Sequence, residues 1–117
     1  MNVADLLTSL RQQVRRRAYI RRLDLLEQTA SLLKARLYIA PELFIQVYRN
    51  DRFDTINLVL IHNGQRLYGR DQLGGKWHRH NQTAPDRHDT SPDGQQPVTL
   101  SEFLDEVEMV LAAMGLP

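Results

Sequence analysis

His78, Arg79 and His80 place two imidazoles two residues apart, with Arg70, Asp71 and Lys76 within ten residues of the second. On an extended backbone both rings point to one side. Histidine titrates near neutral pH, so it can take or give a proton at working pH. Arginine and lysine stabilise charge that develops on a phosphate. Metal-independent cleavage of RNA needs only such groups. One removes the 2′-OH proton and another protonates the departing 5′-oxygen. In this chemistry His78 and His80 are the candidate acid/base pair, Arg70 the phosphate clamp, and Asp71 the group that orients a histidine or Arg70. Trp77 offers a ring for a base to stack on, or an anchor for its segment. A metal site competes. His78, His80 and His88 with Asp86 or Asp89 supply three or four N and O ligands, but the sequence does not settle the third. No metal or cofactor is assigned.

The elements that must position these residues follow from periodicity. Val3, Leu6, Leu7, Leu10 and Val14 fall on one face of a helix over 3–18. Arg11, Arg15, Arg16 and Arg17 crowd toward its end, where cations suit the helix dipole. Continued by Arg21 and Arg22, they form either a solvated charge run or a phosphate-facing patch. Residues 19–30 read as a short strand or a continued helix, with the strand preferred. Leu33, Ala35, Leu37 and Ile39 alternate with polar or aromatic residues over 31–39, the period of a half-buried strand. Pro41 breaks the run. Leu43, Ile45 and Val47 alternate again over 43–49, and Asn50-Asp51-Arg52 turns the chain.

Thr55 to His62, Asn63-Gly64 and Gln65 to Asp71 form a hairpin with a two-residue type I′ turn. Counting outward from the turn pairs Leu60 with Leu67, Val59 with Tyr68 and Asn57 with Arg70. That register puts Tyr68 and Arg70 on the face opposite the apolar one. Lys34, Arg36, Tyr38 and Tyr48 join them there. Cations interleaved with aromatics suit RNA, the cations for phosphate and the rings for unstacked bases. Lys76, Trp77 and Arg79 extend the candidate RNA-binding set. The ordinary alternative is a polar sheet face whose long side chains cover one another. Residues 72–98, with Gly74-Gly75 and three prolines, read as one long loop. The last helix opens on a Thr99–Glu102 capping box and sets Leu100, Phe103, Leu104, Val107, Leu111 and Met114 on one helical face before Gly115. Its acidic side, Glu102, Asp105, Glu106 and Glu108, reads as solvated.

The expected architecture is α+β, an antiparallel sheet of four or five strands with an N-terminal and a C-terminal helix, in one domain spanning 1–117. The chain has 117 residues, a net charge of +1 and no cysteine, which excludes a disulfide framework and a thiolate metal site. No apolar run reaches the roughly 18 residues of a membrane span. Residues 1–5 lack the pattern of a secretory leader, so the cytoplasm is the expected location. Charge is segregated. Residues 1–40 hold eight Lys/Arg against three Asp/Glu, and residues 91–117 hold five Asp/Glu and no Lys or Arg. A basic end fits nucleic acid or an acidic protein.

Taken in order, Arg70-x-Asp ending a strand, the His78-x-His80 pair, a variable segment and a helix opened by Thr99-Leu100-Ser101-Glu102-Phe103-Leu104 resemble the TumE family of small toxins from prokaryotic toxin–antitoxin pairs. The resemblance covers about Leu37 to Leu111. Members read Arg-Tyr-Asp-Asn at the first motif, where this chain has Gly69-Arg70-Asp71-Gln72. Many carry extra histidines where this chain has Gly74-Gly75-Lys76-Trp77. The resemblance implies a toxin that acts on RNA, held by a cognate antitoxin protein. A homodimer, a non-catalytic nucleic-acid- or protein-binding module and a metal-dependent hydrolase stay open beside it.

Overall fold

The computed structural model describes residues 1–81 and 91–117. Helix α1, Val3–Arg16, starts where the Asn2 side chain accepts the Asp5 N–H at 2.8 Å and caps the first turn. Six antiparallel strands follow in chain order: β1 (Arg22–Gln28), β2 (Leu32–Ala40), β3 (Leu43–Asn50), β4 (Thr55–His62), β5 (Gln65–Leu73) and β6 (Lys76–His80). Helix α2, Leu100–Met114, closes the domain. Its N-terminus has the capping box in both directions, and Gly115 ends it at φ 66°.

The alternation over β2 to β4 sends Leu33, Ala35, Leu37, Ile39, Leu43, Ile45, Val47, Ile56, Leu58 and Leu60 to one face. Both helices lie on that face. Leu6 and Leu10 of α1 and Phe103, Leu104 and Val107 of α2 are fully buried against it. Among the described residues, no helix covers the other face of the sheet.

Two expectations are corrected. The sheet has six strands rather than four or five, because residues 72–98 are not one loop. Gly74 and Gly75 both take positive φ, 58° and 84°, and turn the chain tightly into β6. Such a glycine pair is a hairpin signal in its own right, here concealed among the Gly- and Pro-rich residues that follow. The histidines therefore stand on a strand.

The second correction concerns register. The Asn63-Gly64 turn forms as expected, and His62 and Ile61 pair with Gln65 and Arg66. A bulge then leaves Leu67 as an extra residue, so Leu60 pairs with Tyr68, Leu58 with Arg70 and Asn57 with Asp71. A one-residue slip turns every later side chain to the opposite face. Tyr68 and Arg70 enter the helix-covered side, and Asp71 emerges on the open one.

The acidic side of α2 is also engaged rather than merely solvated. The Arg17 guanidinium, half-buried at the end of α1, donates to Asp105, Glu108 and the Ser101 carbonyl and hydroxyl. Tyr19 donates to Glu108 at 3.0 Å. Burial and this bond push the Tyr19 hydroxyl up to about 12. Part of the charge segregation in the sequence is thus neutralised inside the molecule. At the other end of α1, Asp51 accepts the Val3 N–H at 3.1 Å and Arg49 Nε at 2.8 Å. Partial burial alone would raise the Asp51 carboxyl. The bonds from Arg49 and Val3 outweigh it and hold its pKa below the ordinary 3.8. A carboxyl lowered on folding stabilises the native state above its unfolded pKa and loses that contribution as pH falls through the folded value. Asp51→Asn is therefore expected to cost about 1–2 kcal/mol near pH 7. In thermal melts across pH, the gap to wild type should narrow as pH falls below about 4.

Candidate functional site

Strand pairing sets out the open face as rows that cross the strands. One row runs Lys34, Tyr48, Asn57, Asp71, His78 from β2 to β6. The next runs Arg36, Gln46, Val59, Gly69, His80. Neighbouring strands lie about 4.8 Å apart, so the first row spans about 19 Å from Lys34 to His78. Lys76 shares this face with His78 and His80 because the three alternate along β6.

Asp71 sits between the two histidines. Its Oδ2 is 2.9 Å from His80 Nε2, and its Oδ1 is 3.6 Å from His78 Nδ1. Asp71 and His80 are buried, at 5% and 4% exposure. The His78 side chain keeps 20% of its surface open. Gly69 lets β5 lie close against β4: a Cβ there would stand 3.0 Å from the Leu58 carbonyl oxygen. The arrangement matches the logic of an orienting carboxylate. Only the 2.9 Å contact has hydrogen-bond length, so the carboxylate can fix the tautomer of His80, while at 3.6 Å it meets His78 as a neighbouring charge.

The remaining expected site residues divide between the faces. Lys34, Arg36 and Tyr48 line an open concavity of about 640 Å³ with Gln46, Asn57, Val59, Ile61 and Arg66. Asp71 and His78 continue beyond its Asn57 end. Lys76, Trp77 and His78 border a second hollow, of about 400 Å³, with Gln95. Trp77 itself pairs with Gln72 and packs against the core, so its ring serves as an anchor. Arg79 pairs with Arg70 and borders a hollow beside α2 with Tyr68, Glu106 and Met109.

Arg70 stands on the helix-covered side. Its Nε and Nη2 donate to Glu106 at 3.0 and 2.6 Å, and its Nη1 to the Asp93 and Gly94 carbonyls at 2.9 and 3.3 Å. Tyr68 donates to the same Glu106 carboxylate at 2.7 Å, and burial together with this bond pushes its hydroxyl up to about 12. Both residues join β5 to α2 and to the segment before it, away from the histidines. Arg70, expected as the phosphate clamp, thus stands on the side of the sheet opposite the histidines, and Lys76 is the cation that shares both their face and their strand.

Residues to which the sequence reading assigned no role also line the open face. Asn57 and Gln46 are polar positions flanked by apolar residues on β4 and β3, and among the described residues neither amide makes a hydrogen bond. Arg36 donates to the Tyr38 hydroxyl at 3.2 Å and lies over the Phe44 ring at 4.5 Å, while Arg22 lies over Tyr38 at 4.3 Å. These stacks brace one margin of the concavity. The metal alternative also called on Asp86, His88 and Asp89, which lie outside the described residues. No known family model, curated protein or solved structure matches this chain.

Proposed function

We propose that this chain is a metal-independent ribonuclease that works on the open face of its sheet. The observation that carries the reading is the Asp71 carboxylate between His78 and His80, with Lys76 beside them on the same face. The partly exposed His78 is the proton-transfer group, and the Asp71 carboxylate stands beside it to offset the charge it gains with the proton. The buried His80 is a positioning residue that holds Asp71 in place.

His78 removes the 2′-OH proton of the substrate ribose. The 2′-oxygen attacks the adjacent phosphorus, the bond from phosphorus to the 5′-oxygen breaks, and the leaving oxygen takes a proton from water on the open side. The products are a 2′,3′-cyclic phosphate and a 5′-hydroxyl. Lys76 offsets the negative charge that builds on the phosphoryl oxygens. Lys34 and Arg36, both on β2, stand about 19–20 Å from His78 across the strands, too far for the scissile phosphate but suited to its neighbours along the chain.

The toxin role, and a cognate antitoxin that holds it in check, rest on the resemblance to TumE toxins. A second reading, a non-catalytic RNA-binding module, is favoured by the burial of the Asp71–His80 pair, which would then serve only to tie β6 to the sheet.

The test is cleavage of single-stranded RNA by purified protein, with EDTA present and absent. Cleavage that resists EDTA, ends in a cyclic phosphate and fails at a single 2′-deoxy linkage is the expected result. Cleavage abolished by EDTA, or equal cleavage of the 2′-deoxy linkage, would sink the mechanism. Binding without cleavage would leave the module.

A further inference from the structure

Four residues at the centre of the open face form a square. Tyr48 is paired across the strands with Asn57, and Gln46 with Val59. Tyr48 and Gln46 alternate on β3, Asn57 and Val59 on β4, so all four side chains rise from one face. Diagonal neighbours in such a square lie about 7–8 Å apart. Val59, 7% exposed, gives an apolar floor. Tyr48 gives a ring at one corner. Asn57 and Gln46 give two amides that have no hydrogen-bond partner among the described residues, in a concavity of about 640 Å³. Small-molecule sites fall at about 300–1,000 Å³ and combine an apolar surface with a few convergent polar groups.

The flanks of the square carry a directional argument. On one side each row continues to a cation, Lys34 next to Tyr48 and Arg36 next to Gln46. On the other side the row continues from Asn57 to Asp71 and His78. Phosphate-binding charge, a base-sized apolar patch with amides, and the proton-transfer group therefore stand in sequence along one line. We propose that this square is a specificity pocket for a single unstacked nucleobase, and that its base is adenine. A side-chain amide presents one donor and one acceptor side by side, the pattern that adenine N7 and its exocyclic amine complement. Single-stranded RNA is read in this way, by splayed bases that stack on a ring and hydrogen-bond at their edges. Asn57 and Gln46 are the specificity-determining residues, and Tyr48 stacks without regard to sequence. This inference rests on the RNA reading above.

The test uses fluorescently labelled 2′-O-methyl homo-oligonucleotides of A, C and U, which lack the 2′-OH and stay intact. Anisotropy at one fixed salt concentration reads their affinities. Wild type should bind the A oligomer about 10-fold or more tighter than the C and U oligomers. Asn57→Leu, nearly isosteric at a half-buried position, should bring the three to within about twofold while it still binds all of them. Tyr48→Ala should weaken all three alike. Equal affinities in wild type would overturn the pocket and leave the ribonuclease reading intact. A full adenine preference in Asn57→Leu, with the fold confirmed by circular dichroism, would overturn the assignment of Asn57. Failure of wild type to bind any oligomer at low salt would overturn both the pocket and the RNA reading.

Discussion

His78→Ala is expected to lower RNA cleavage by about 10²–10⁴-fold and to leave the unfolding midpoint close to wild type. The side chain lies on the open face of edge strand β6, outside the hydrophobic core, so its loss opens little of that core. The protein should still bind RNA through Lys34, Arg36 and Lys76, with affinity that falls as salt rises. The measurement is single-turnover cleavage beside equilibrium binding. A variant that binds and does not cut separates chemistry from recognition. Wild-type cleavage by His78→Ala would remove the histidine mechanism outright. Asp71→Asn adds a sharper control. It keeps the shape of the side chain and removes the carboxylate that bonds His80 and faces His78, so it should cut slowly with an altered pH profile. His80→Ala is less diagnostic, because His80 is buried against Asp71 and its loss perturbs stability as well.

Arg70→Ala is expected to produce the largest loss of stability, about 3–5 kcal/mol. Arg70 is 4% exposed and serves Glu106 with two parallel bonds and the Asp93 and Gly94 carbonyls with a third nitrogen. Its removal leaves a partly buried carboxylate without its cation and two carbonyls without their donor. Urea unfolding followed by circular dichroism measures the change. Glu106→Gln should cost less, because an amide oxygen still accepts from Tyr68 and Arg70. In the double variant the two costs should fall short of additive, since either change breaks the same pair. Tyr68 belongs to this cluster, and its hydroxyl pKa is raised on folding. The contribution is therefore present below the unfolded value of about 10 and lost as pH rises through about 12. The sequence reading of Arg70 as a phosphate clamp makes the opposite prediction: weaker RNA binding with stability unchanged. A near-wild-type urea midpoint for Arg70→Ala would restore that reading and contradict the buried pair.

The contrast between these two residues shows where sequence reasoning stops. His78 and His80 lie two apart, and a period-2 strand puts such residues on one face wherever that strand sits. The placement of Arg70 depended on register counted from the Asn63-Gly64 turn. That count holds for two pairs and is then inverted by the bulge at Leu67. No residue type announces this bulge. It follows from which of Leu67 and Tyr68 packs better beneath α2, where Tyr68 stacks near Phe103 at 5.9 Å and meets Glu106. A hydrogen-bonded partner 38 residues away is invisible to any local count.

By itself the sequence determined the ends of the second helix, through the Thr99–Glu102 box and Gly115. It also determined the alternating strands β2 to β4, the apolar face they share, and the placement of the two histidines on one face. These are properties of short-range geometry, in which side-chain period and capping are set within a few residues. Only the tertiary structure decided the sixth strand, the face on which Arg70 and Tyr68 lie, the partners of the acidic side of α2, and the row that joins Lys34 to His78. Each of these depends on contacts between residues far apart in the chain, where small differences in packing select one register over another.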